Sequence, residues 1–90
     1  MEDFRLEMIA RTQESLVLRA LLAGESVTPM DALRRWGIFR LAARVFRLRQ
    51  KGFPVLTRMA EMAGGKRVAV YAMAPEWLKK FREDAEACHD

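Results

Sequence analysis

Arg40, Arg44, Arg47 and Lys51 are spaced i, i+4, i+7 and i+11. On an α-helix that spacing brings all four within about 60° of one another. A straight cationic ridge of this kind suits a polyanion. Ile38, Leu41, Val45 and Leu48 recur at the same period on a different face, so the helix that carries the ridge also has an apolar side to bury.

The wider charge pattern supports a localised site. The chain has 90 residues and a net charge of +4. Residues 1–33 carry a net −3, residues 34–67 a net +9, and residues 68–90 a net −2. Basicity confined to the middle third reads as an electrostatic footprint. The alternative is a solvated surface, but such surfaces usually mix both signs.

Length and composition predict one domain spanning 1–90, with a small core. Just over half of the residues are apolar and 31% are charged, a balance that argues against global disorder. Cys88 is the only cysteine and His89 the only histidine, so they form neither an intrachain disulfide nor a tetrahedral metal site on their own. They read as tail residues. The cysteine usage fits a cytoplasmic setting. No apolar run reaches the ~18–20 residues of a membrane span, and Glu2, Asp3, Arg5 and Glu7 stand where a signal peptide would be apolar. Catalysis finds no support: there is no Ser/His/Asp set, phosphate-binding glycine loop or metal spacing. No enzyme activity, cofactor or metal is expected.

The elements that must position the ridge follow from local signals. Glu2 to Ala23 has helical character, with Leu16, Val17, Ala20 and Leu21 as its stripe and Phe4, Met8 and Ile9 as a weaker one upstream. Thr12 divides this stretch if it acts as an N-cap, and one continuous helix is the alternative. Gly24 ends it. Thr28 is the next N-cap, with Pro29 at N1 and Asp31 at N3, and this short helix runs to about Trp36. Ala32, Leu33 and Trp36 are expected to be its buried face. Val27, just before the cap, suits a brief strand or a hydrophobic staple.

Gly37 permits a sharp turn, and the ridge helix spans 39–51, closed by Gly52 and Pro54. Two helices across a short glycine-containing turn make a helix-turn-helix unit. Phe39, Ala42 and Phe46 lie on a third face and are expected to pack in the core. The period then changes. Val55–Ala63 and Lys66–Ala74 read as strands around a Gly64-Gly65 turn, a hairpin spanning 55–74. A hairpin after a helix-turn-helix is a wing. Pro75 opens a last helix, about 75–87, with Trp77, Leu78, Phe81 and Ala85 as its stripe, and Glu86 to Asp90 are expected to fray. The predicted fold class is mainly α with a small β-hairpin: a winged helix-turn-helix, core about 12–74, with added N- and C-terminal helices.

From Thr12 to Met73 the chain resembles the small phage- and prophage-encoded helix-turn-helix proteins of bacteria. The likeness rests on Ser26-Val27-Thr28-Pro29, Ala32-Leu33, the block Phe39-Arg40-Leu41-Ala42-Ala43-Arg44-Val45, Leu48-Arg49, Gly52-Phe53-Pro54-Val55, and Gly65-Lys66-Arg67-Val68-Ala69-Val70-Tyr71. The block from Phe39 to Val45 is its most specific part. The two ends fall outside it. The resemblance implies a fold more firmly than a target.

A helix in this position lies in the major groove. Arg40 and Arg44 are placed for base edges, where an arginine fork grips guanine. Arg47 and Lys51 suit phosphates, Ala43 permits close approach, and Gln50 suits adenine. Arg58, Lys66 and Arg67 belong to the wing and are expected at phosphates or the minor groove. Arg34 and Arg35 either touch the backbone or favour their helix's C-terminal dipole. Thr28 sits where a helix N-terminus could take a phosphate, though capping accounts for it. The expected function is sequence-specific duplex DNA binding by a phage or prophage transcriptional regulator, with a homodimer through the terminal helices. The alternative is a phage-encoded inhibitor of a host defence complex, anti-CRISPR-like, that binds protein or ribonucleoprotein through the same basic surface. An excisionase-like, DNA-bending role is a third and weaker reading.

Overall fold

The computed structural model describes residues 12–87. The expected stripe at Phe4, Met8 and Ile9, and the tail residues Cys88 and His89, lie outside them. Helix α1 spans Gln13–Leu22, α2 Pro29–Trp36 and α3 Leu41–Gln50. Strands β1, Val55–Glu61, and β2, Arg67–Met73, follow, and α4 spans Pro75–Ala87.

Each start is written locally. Thr12 is extended, at φ −64° and ψ 155°, and its hydroxyl accepts from the Ser15 amide at 3.3 Å. Thr12 is thus the N-cap of α1. Thr28 and Asp31 form a complete capping box: the Asp31 amide donates to Thr28 Oγ1 at 3.1 Å, and the Thr28 amide to Asp31 Oδ2 at 3.1 Å. Pro29 follows the cap, as the sequence predicts.

Gly37 makes the bend between α2 and α3. Its φ of +69° is left-handed, which most side chains resist. The Ile38 amide then closes on the Ala32 carbonyl at 3.2 Å, and Ile38 drops into the core at 1% exposure. The ridge helix is shorter than its predicted span of 39–51. Arg40, at φ −118° and ψ 66°, is the N-cap of α3 and makes no side-chain capping bond. Phe39 and Arg40 therefore belong to the turn, because the chain reaches helical geometry only after Gly37 and Ile38 have redirected it.

Ile38, Leu41, Val45 and Leu48 are all buried, as their spacing predicts. They meet Val17, Ala20 and Leu21 of α1, Ala32 of α2, Val27, and Val55, Tyr71 and Met73 of the hairpin. Burying each large aliphatic side chain contributes about 1.5–3 kcal/mol, and this cluster dominates the packing. Leu33 corrects the sequence reading: it is 37% exposed, because the short α2 approaches its neighbours through Ala32, at 0%, and leaves Leu33 on the rim. Trp36 is half-buried, with the Arg35 guanidinium 4.5 Å above its ring.

The strands pair antiparallel from Val55↔Met73 to Glu61↔Arg67. They are shorter than expected, since Met62–Lys66 form the turn, where the Met62 amide donates to the Lys66 carbonyl at 2.6 Å. Gly64 and Gly65, at φ +89° and +82°, supply two successive positive-φ residues, a conformation that most side chains resist. Val27 and Tyr71 exchange both backbone bonds at 2.8 Å, a one-residue third strand that ties the start of α2 to the hairpin.

Helix α4 packs through Leu78, 8% exposed, and Trp77, whose ring meets Phe53 edge-on at 5.9 Å and stacks on Phe81 at 5.2 Å. Phe81 is 40% exposed, and Ala85 is also exposed, so the predicted apolar stripe is only half buried. Among the described residues no helix is long and apolar enough to cross a membrane.

Candidate nucleic-acid interface

The surface of α3 divides into sectors once Leu41, Val45 and Leu48 have taken the core side. At 100° per residue, Arg44, Arg47 and Lys51 fall on one flank and Ala42 and Arg49 on the other. Ala43, Phe46 and Gln50 fall between them, facing away from the core.

The first flank lies against α1. Glu14 Oε1 is 3.7 Å from Arg47 Nε, and Glu14 Oε2 pairs with Lys51 Nζ. The sequence shows no acid near the ridge; this one arrives from another helix. The Glu14 side chain is 15% exposed, whereas Arg47 and Lys51 are 62% and 55% exposed. The acid is thus covered while the cations still face solvent. Arg44 is half-buried, and its Nε is enclosed with no hydrogen-bond partner among the described residues.

The second flank meets the wing. Arg49 Nε donates to the Val55 carbonyl at 2.8 Å, and Arg49 Nη2 to the Thr57 hydroxyl at 2.6 Å. Sequence reasoning gave Arg49 no role, although its position beside the core sector of the helical wheel was a usable signal.

The outward sector corrects the expectation that the phenylalanines are core. Phe46 is 59% exposed and Phe39, in the turn ahead of α3, is 85% exposed. Three aliphatic residues already fill the inward side of α3, and Phe46 lies about 130° round the helix from their centre.

The remaining predicted positions scatter around this helix. Arg40 is exposed at the N-cap of α3. Arg58 is exposed on β1 opposite Val70, Lys66 lies in the wing turn, and Arg67 stands opposite Glu61. Arg34 is exposed, while Arg35 is held by Glu25 at 2.5 Å. The Thr28 hydroxyl is engaged in capping, and the Asp31 carboxylate sits at the α2 N-terminus where an anion would otherwise bind. The structure thus gathers Ala43, Arg44, Arg47 and Gln50 on α3, puts Arg40 at its N-cap and Lys51 at its C-cap, and leaves Arg58, Lys66 and Arg67 on the wing.

A core of three helices, a glycine turn between the second and third, and a hairpin packed beside the third define a winged helix-turn-helix. The chain belongs to the winged helix-turn-helix domain family, whose family model matches residues 12–76. That architecture suggests DNA binding and is a non-enzymatic kind of domain. No curated protein and no solved structure matches the chain significantly.

Proposed function

We propose that this chain binds duplex DNA sequence-specifically, with α3 in the major groove and the β1–β2 hairpin as the wing, and acts as a transcriptional regulator. The observation that carries the reading is the placement of Arg47 and Lys51. Both reach solvent along one edge of α3, while its opposite edge is held to the wing. Arg47, Lys51 and Arg40 suit phosphates, and Arg58, Lys66 and Arg67 extend cationic contact along the hairpin. The resemblance of the Phe39–Val45 block favours a phage or prophage setting. A homodimer through the terminal helices would place two copies of α3 on half-sites about 34–36 Å apart.

Fluorescence anisotropy with a labelled duplex tests the reading. With about six phosphate contacts, log K falls with log salt at a slope near −5. Affinity that stays flat between 50 and 200 mM salt, roughly the range over which such contacts weaken binding by orders of magnitude, overturns it.

A second reading has its own support. Phe39, 85% exposed, is a large apolar group of the kind that anchors a protein partner. In that reading the same surface grips a host protein or ribonucleoprotein. A stable complex with such a partner, together with no duplex binding, would establish it.

A further inference from the structure

The side chains of α3 that point furthest from the core are not its arginines. Ala43, Phe46 and Gln50 make up the outward surface, two apolar residues and one amide, with exposed Ala42 beside Arg49 at its wing edge. The cations lie to the sides: Arg44, Arg47 and Lys51 along the α1 flank, and Arg49 along the wing flank. Arg49 already donates to Val55 and Thr57, and Arg44 is half-buried, so neither guanidinium is free to stand on the groove floor.

This cross-section matches the shape of a major groove. The groove is about 12 Å wide and a helix with side chains about 10–12 Å, so the outward surface meets the base edges and the flanks meet the phosphate walls. Charge complementarity favours duplex DNA as the occupant, because residues 34–67 carry a net +9 around this apolar strip. The floor of the groove offers an apolar side chain one natural partner, the C5-methyl group of thymine. An amide at Gln50 complements the N6 and N7 edge of adenine.

Resting on the DNA-binding reading above, we infer that α3 reads A·T pairs: Ala43 and Phe46 pack on thymine methyl groups and Gln50 pairs with adenine. This reassigns the ridge. Arginine on guanine is replaced by apolar contact at the centre, and the cations become phosphate clamps. Phe39, exposed just ahead of α3, extends the apolar surface beyond the helix N-terminus.

The test begins by selecting bound sequences from a random duplex pool with the intact chain. The selected duplex is then remade with deoxyuridine in place of individual thymines, which removes only the methyl group. The expected result is an A·T-containing consensus and an affinity loss of about four-fold for each contacted methyl removed. Phe46→Ala should weaken binding to the thymine duplex and abolish the thymine–uracil difference, with the salt slope unchanged. The thymine–uracil comparison uses the unaltered chain, so it does not depend on how that variant folds. A specific consensus bound equally well with thymine or uracil, or one dominated by guanine contacts, overturns the inference and leaves DNA binding intact. Absence of any duplex binding overturns both.

Discussion

Arg49 and Thr57 are joined across the junction of α3 and the wing, the guanidinium Nη2 donating to the threonine hydroxyl at 2.6 Å. The same guanidinium donates through Nε to the Val55 carbonyl at 2.8 Å. A planar fork with two donors fixes orientation as well as distance. The Arg49 fork therefore reinforces the angle between the helix and the hairpin, beside the buried contacts of Leu48 and Val55.

Arg49→Ala should destabilise the fold by about 1.5 kcal/mol, the low end for a charged hydrogen-bonding group because the site is partly solvated. Urea denaturation reads this directly. Arg49→Lys should recover little, since an ammonium cannot reproduce the fork. DNA affinity should fall with both changes, yet the salt slope should hold. A slope that becomes shallower by about 0.9 would show instead that Arg49 contacts a phosphate.

Glu14 holds Lys51 and Arg47 from beneath. A carboxylate so close to the cations proposed for phosphate contact would compete with phosphate for them. Glu14→Gln should cost about 1 kcal/mol of stability, because the two cations face solvent although the carboxylate is covered. It should tighten nonspecific duplex binding and steepen the salt slope by up to about one contact. Weaker binding by this variant would identify Glu14 as a group that aims the cations rather than one that competes for them.

The Thr28–Asp31 capping box supports α2 with two reciprocal bonds. Thr28→Ala should cost about 1 kcal/mol. In a domain of this size that lowers Tm by about 4–8 °C, readable by circular dichroism. Salt dependence of DNA binding should not change, because the Asp31 carboxylate remains at the helix N-terminus. A shallower slope would place a phosphate there after all.

Gly64 and Gly65 offer a test of the wing alone. A Cβ built on either meets no atom within 4 Å, so substitution carries conformational strain without a clash. Gly64→Ala should cost about 1 kcal/mol. Wing-dependent affinity should drop while the α3 consensus stays the same in a selection experiment. A changed consensus would mean that the wing, too, reads bases.

What could be read from the chain alone was local. The Thr28-Pro29-Asp31 cap, the Gly37 bend and the Gly64-Gly65 turn each depend on a few adjacent residues, and each stands where the sequence puts it. The buried Ile38, Leu41, Val45 and Leu48 followed from periodicity. The site was harder because its details are tertiary. Glu14 meets Lys51 across 37 residues of chain, a pairing no local pattern encodes. Phe39 and Phe46 were misplaced for a different reason. Apolar character was read as burial, although the inward side of α3 was already filled, and the helical wheel alone would have sent Phe46 outward.

The Val27–Tyr71 bridge bears on how the hairpin moves. Its two reciprocal hydrogen bonds join a residue ahead of α2 to the middle of β2, and Val27 is fully buried. Amides in such a position exchange with solvent only when the cooperative unit around them opens. The base of the hairpin therefore shares its opening with the helical core, and local fraying is expected only toward the distal end, around Gly64 and Gly65. Docking onto a surface then finds the lever already set, and little ordering entropy is lost beyond its tip.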